Sequence, residues 1–270
     1  MPGWSRRLDG RRCLVGWLAM NSRIVPAAAS LAALTLLNGC TAGSNYQWGW
    51  YVIDPTRPSG AAHVQFLLAG LGLTLGLSAC AIALSVLLGI VLALCGLSRS
   101  RPLRLVGRSY IECFRAVPLL VLLLWVYYGL PVITGLQFDS FTAGVLTLAL
   151  SDAAFEAEVF RAGLQSVPCG QREAAMTLGL SRADTFRYVV LPQAIRNILP
   201  ALGNQFVYVL KMSSLVSVIG LQELTRRANE LNVTEYRPLE VYSFLIVEYL
   251  LLILLASWAV RRLERTLQTG

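Results

Sequence analysis

Apolar residues along this chain gather into long, nearly unbroken runs. Five of them reach the roughly 20 residues a helix needs to cross about 30 Å of hydrocarbon. They fall at 64–97, 111–131, 139–162, 191–220 and 239–260. The pattern predicts an all-α, polytopic membrane protein with five spans. The first run exceeds one simple crossing, which predicts an interfacial turn at its start or a tilted helix. Its Gly70, Gly72, Gly76, Ser78 and Ala79 allow close helix approach.

The polar exceptions inside these runs are the candidate chemistry, because ionisable groups at membrane depth are expensive. In the third run Asp152 and Glu156 are four apart and share a helix face. Glu158 and Arg161 lie on roughly the opposite face, at about 100° per residue. Their three-residue spacing predicts a local ion pair. Asp152 and Glu156 have no such neighbour and stand equally as a structural pair or as the lining of a path. In the fourth run Asn197, Asn204, Tyr208 and Lys211 follow at steps of 7, 4 and 3, tracing one side of a helix. Ser213, Ser214 and Ser217 extend that stripe. Arg115 stands about one turn inside the second run and is expected to reach back to the headgroups. The candidate translocation path is therefore Asp152, Glu156, Glu158, Arg161, Asn204, Tyr208, Lys211, Ser213 and Ser214.

Basic residues collect in alternate connections. Segment 98–110 holds Arg99, Arg101, Arg104 and Arg108, segment 163–190 holds Arg172, Arg182 and Arg187, and the C-terminal end holds Arg261, Arg262 and Arg265. Segment 132–138 has no basic residue and 41–63 has only Arg57. The exception is 221–238, where Arg226, Arg227 and Arg237 are offset by Glu223, Glu230 and Glu235. Positive-inside counting then places the start of the first span outside and the C-terminus in the cytoplasm. Tyr46, Trp48, Trp50 and Tyr51 suit the headgroup layer, so 41–63 reads as a periplasmic or interfacial segment. Residues 1–40 read as signal-like: a basic start at Arg6, Arg7, Arg11 and Arg12, an apolar stretch, then Leu37-Asn38-Gly39-Cys40. That ending resembles a lipobox with acylation at Cys40; an uncleaved anchor is the alternative.

Composition narrows the function classes. The chain is 56% hydrophobic and 14% charged, against roughly a quarter charged in soluble domains. A soluble fold, a secreted disulfide scaffold and a nucleic-acid binder are excluded, and the net charge of +8 is read as orientation. The one lysine, Lys211, has no glycine-rich loop before it, so no phosphate-cradling ATP site is predicted in this chain. The one histidine, His63, reads as a solvated loop residue and leaves no material for a histidine metal site or a Ser/His/Asp triad. The six cysteines show no CxxC spacing. No enzymatic chemistry and no cofactor of its own are expected.

Segment 163–190 spends 28 residues on one connection. Residues 171–178 are good helix formers, Gly179 can stop that helix in a left-handed turn, and Ser181 can cap the next. Two short helices meeting at a glycine make an exposed elbow suited to docking. Glu173-Ala174-Ala175, Gly179, Val189, Leu191 and Pro192 resemble the EAA loop of bacterial ABC-importer permeases. Ala157-Glu158-Val159-Phe160-Arg161, Leu191-Pro192-Gln193-Ala194, Gly203-Asn204-Gln205-Phe206 and Lys211 are similar to the polar amino-acid permeases of the histidine/glutamine/glutamate type. The resemblance covers about 64–262, leaving 263–270 as a cytoplasmic tail.

The resemblance implies a multi-pass subunit of the bacterial inner membrane that pairs with a second permease subunit, identical or related. It implies a periplasmic solute-binding protein that delivers a polar or charged amino acid, and a cytoplasmic ABC ATPase dimer that carries ATP and Mg. Glu173, Ala174, Ala175 and Gly179 would form the coupling helix and its turn, with Leu180, Ser181 and Arg182 at the same contact. The competing reading is an ion-coupled secondary transporter or channel using Asp152, Glu156 and Lys211. The long elbow and the lack of a visible inverted repeat go against it.

Overall fold

The computed structural model describes residues 46–268; the signal-like segment 1–40 with Cys40, residues 41–45 and the last two residues lie outside them. The chain divides into two units, Met1–Trp48 and Gly49–Gly270. In the first, Tyr46 and Trp48 meet edge to face with ring centroids 5.5 Å apart. The second carries the rest of the fold. Among the described residues every regular element is helical.

The first apolar run folds as α1 (Pro58–Leu68) and α2 (Leu71–Leu97). Between them Gly70 lies against the backbone of Glu223 and Leu224, where a Cβ would come within 2.7 Å of the Leu224 nitrogen. The chain can cross there only without a side chain. Facing α2 is α5 (Ser140–Gln165), and small residues set their approach. α2 buries Thr74, Ser78, Ala81, Ser85, Gly89 and Ala93, one every third or fourth position, while α5 buries Ala143, Gly144, Ala149, Ala153 and Ala157. Helices in lipid gain little from hiding apolar groups, so close backbone packing of this kind holds them together.

The second run is not the single straight span expected at 111–131. It forms α3 (Arg101–Ala116) and α4 (Leu119–Thr134), bent by 102°. The cause is Pro118, which has no amide proton to donate and forces Val117 out of the helical region to φ −86°, ψ 126°. Proline also explains two wide turns elsewhere. A π turn at Trp125–Gly129 precedes Pro131, and another at Thr185–Val190 precedes Pro192. Each enlarged turn accommodates a ring that lacks its own hydrogen bond.

After α6 (Cys169–Thr177), α7 runs unbroken over Arg182–Ile219, its last part, Ser213–Ile219, tightened to a 3₁₀ helix. The expected start at 191, and a second short helix before it, are thus replaced by one long helix. The π turn lets Pro192 sit inside it without ending it. α8 (Leu224–Glu235) and α9 (Pro238–Gln268) complete the chain.

By length and apolarity Pro58–Leu97, Arg182–Ile219 and Pro238–Glu264 qualify as crossings, with the bent α3–α4 pair as a fourth. α5 has 26 residues, long enough, but it carries Asp152, Glu156, Glu158 and Arg161 within its length. It is also the central one, packed against α2, α3, α4 and α7. This span can carry polar groups because α2, α3, α4 and α7 pack around it.

At one end, the turn Trp50–Ile53, α1, α8 and α9 share a small core of Val52, Leu67, Ala228, Leu231 and Val241. Part of segment 41–63 is therefore folded: Val52 is buried, and the first helix begins at Pro58, not 64. His63, expected in a solvated loop, is half-buried on α1 with Nδ1 2.9 Å from the Val52 carbonyl oxygen. Its Nε2 stands 3.6 Å from Glu235. Nearby, Glu223 caps α8 by accepting from the Arg226 amide at 2.8 Å and from the Tyr249 hydroxyl at 2.9 Å. Burial pushes the Glu223 carboxyl above its usual range.

Candidate functional site

The elbow forms from local signals. α6 starts after Pro168 and ends at Gly179, whose φ of +87° lies in the left-handed region. There the Gly179 amide donates to Met176 and the Leu180 amide donates to the Ala175 carbonyl at 3.1 Å. Ser181 then caps α7, its hydroxyl accepting from the Asp184 amide at 3.1 Å. Glu173, Ala174, Gly179, Ser181 and Arg182 are exposed and Leu180 is half-exposed. Ala175 is the exception: it is buried and seats the elbow, so it presents no surface to a partner.

Two exposed residues belong with this surface and were not singled out from the sequence. Met176 and Leu178, the latter 80% exposed, are large apolar side chains set among the polar residues of α6 and its turn, and that contrast was a signal available to sequence reading. Beneath the elbow Arg172 donates from Nη2 to the Leu164 carbonyl oxygen at 2.8 Å. A cleft of about 560 Å³ between Leu164, Arg172, Met176, Arg182 and Phe186 separates it from α5 and α7. The elbow is thus bound to α5 through Arg172 and continuous with α7 through Ser181.

The candidate path residues divide into two groups. Asp152 accepts from the Ser85 hydroxyl at 2.8 Å and from the Gln205 amide nitrogen at 2.9 Å, so it bridges α2, α5 and α7. Glu156 is fully buried, its Cβ against Gly89, and among the described residues neither of its carboxylate oxygens has a hydrogen-bond partner. Both groups sit between helices rather than beside the cleft described next.

The other face of α5 is open. Glu158 pairs with Arg115 at 2.6 Å, not with Arg161 as its spacing predicts. Arg115 correspondingly does not extend along α3 to a headgroup; the bend at Pro118 turns it onto α5. Its guanidinium lies 5.3 Å from the Phe155 ring centroid, and Phe155 in turn stands 6.4 Å from Tyr208 of α7. Arg108, Glu112, Arg115, Glu158 and Arg161 line a cleft of about 780 Å³. Asn204, Tyr208 and Lys211 are exposed on α7, as their spacing predicts. Ser213 and Ser214 donate their hydroxyl protons to the Leu210 and Lys211 carbonyl oxygens, both at 2.8 Å, and so satisfy their own helix.

Apolar helices wrapped around a polar one, with an exposed elbow fixed to two of them, define a transport permease of the ABC-importer type. The chain belongs to the family of binding-protein-dependent transport system inner membrane components, which residues 85–269 match. It is 37% identical over 207 residues to the arginine transport system permease protein ArtQ of Bacillus subtilis (strain 168), covering 77% of this chain and 94% of that one. It is 36% identical over 223 residues to the glutamine transport system permease protein GlnP of Escherichia coli (strain K12), covering 82% and 99%. Among solved structures, the crystal structure of an amino acid ABC transporter with histidines aligns at a TM-score of 0.75 and 40% identity, covering 82% of this chain and 100% of that one. An inward-facing MetNI methionine ABC transporter aligns at 0.64 and 21% identity, covering 75% and 96%, and shares the fold.

Proposed function

We propose that this permease moves an amino acid with a polar or charged side chain across the bacterial inner membrane, working beside a second permease subunit. A solute-binding protein on the outer side hands over the substrate, and ATP and Mg are held by a separate ATPase dimer docked on α6. The observation that carries the reading is the elbow. Glu173, Ala174, Met176, Leu178 and Gly179 are exposed, while Arg172 ties them to α5, which lines the charged cleft, and the chain continues from them into α7. Closure of an ATPase on α6 then tilts α5 and α7 together, the rigid-body kind of motion that alternates access.

The amino-acid reading draws on the named relatives and on the chemistry of the cleft. Arg115 and Glu158 offer one positive and one negative group side by side, which matches the α-carboxylate and α-ammonium that every amino acid carries. The basic residues in 98–110, 163–190 and the C-terminal end support a cytoplasmic elbow and C-terminus. The test is a Glu173→Arg, Gly179→Pro variant. Loss of ATPase binding and of amino-acid uptake, with the variant still in the membrane, is the expected result. Unchanged ATPase binding overturns the docking assignment. Uptake that stops with an ionophore and survives ATP depletion overturns the ATP-driven reading.

A further inference from the structure

α3 is built unlike the other helices. Arg101, Arg104, Arg108, Glu112 and Arg115 fall within an arc of about 80° when wound at 100° per residue. Gly107, Tyr110, Ile111 and Phe114 make a second face centred about 100° away, and this face packs: Gly107 lies against Cys95 and Leu92 of α2, and the Tyr110 hydroxyl donates to the Leu150 carbonyl oxygen of α5 at 2.9 Å. On the far flank of that contact, opposite the arginines, Val106 is 64% exposed, and Leu103, in line with the packed face one turn earlier, is still 49% exposed. Leu105, also exposed, borders the basic arc. With its back on the α2–α5 pair, the helix therefore shows a basic flank on one side and an apolar flank on the other. The 102° bend after it turns α4 away. That is the layout of a helix lying in the plane of a bilayer surface.

The basic flank is also unneutralised where it leaves the cleft. Arg99, Arg101 and Arg104 lie outside the cleft lining and form no ion pair among the described residues. We propose that residues 99–106 form a binding surface for anionic phospholipid headgroups, with Leu103 and Val106 inserted among the acyl chains and Arg99, Arg101 and Arg104 in the phosphate layer. The proposed orientation enters only in assigning the surface to the cytoplasmic leaflet. Lipid charge thereby fixes the start of α3, whose other end carries Arg115 into the cleft.

The test uses the full chain in vesicles of phosphatidylcholine alone or with phosphatidylglycerol, reading backbone hydrogen exchange over 101–110. Exchange there is expected to slow on the order of 100-fold with phosphatidylglycerol at low salt, each arginine contributing about five-fold. The difference should collapse at about 0.5 M salt, where charges are screened beyond roughly 4 Å. An Arg99→Gln, Arg101→Gln, Arg104→Gln variant should lose the lipid selectivity. Equal exchange in the two lipids, with or without salt, overturns the proposal, and that comparison needs no variant to fold. Protection that ignores lipid charge and arises only when the ATPase is added also overturns it, making the surface a protein contact.

Discussion

Single residues in this protein act mostly by being small or by holding a helix end. Gly89 joins two of the packed helices, since a Cβ there would lie 2.6 Å from the Cβ of Glu156. Gly89→Ala is expected to cost about 1–3 kcal/mol through overpacking, read as a lower unfolding midpoint in detergent. Adding Glu156→Gly, which removes that Cβ, should recover part of that loss, and full stability in Gly89→Ala alone would refute the contact. Asp139 works at the start of α5, accepting from the Phe141 and Thr142 amides at 3.1 and 3.3 Å. Hydrogen bonding to Thr142 holds its carboxyl below the usual aspartate range. A lowered carboxyl stabilises the fold above its unfolded-state value and loses that contribution as pH falls. Asp139→Ala should therefore destabilise by about 1 kcal/mol near neutrality, with the gap to wild type closing in acid, as unfolding midpoints measured across pH will show.

At the scale of elements, the local signals for the elbow were legible. Gly179 and Ser181 mark the end of α6 and the start of α7 because both act through their own backbone neighbourhood. What the pattern did not reveal is how the elbow is held. Arg172 reaches back to the Leu164 carbonyl across the turn at Ser166–Val167, a distance set by the fold. Arg172→Ala is expected to leave ATPase binding intact, raise hydrogen exchange across 169–177 and reduce uptake, since force then reaches α7 alone. The broken second span was half legible: Pro118 forecasts an interruption, while the 102° turn depends on α3 finding its place across α2 and α5.

For the whole molecule, the arrangement puts one polar helix inside four apolar or broken ones and opens only part of it to a cleft. The ion pair of Arg115 with Glu158 couples α3 to α5 on that open face. Glu158→Arg alone places two like charges together and should abolish uptake. Exchanging both residues, Arg115→Glu with Glu158→Arg, should restore chain stability more than uptake, because the substrate would meet the charges in reversed order. Uptake at wild-type levels in the exchanged variant would remove the cleft from the path.

By itself the sequence determined that this is an all-helical membrane protein and that it carries an EAA-type elbow. Both rest on local rules: the length of apolar runs, where proline and glycine stand, and which residues follow one another. Tertiary structure decided which charges meet. Glu158 has Arg161 one turn away and takes Arg115 from another helix, and Asp152 gains Ser85 and Gln205 from two others. A charge goes to the partner that packing brings within hydrogen-bond reach, on the open cleft for Glu158 and between helices for Asp152, and helix spacing in one segment cannot reveal that partner.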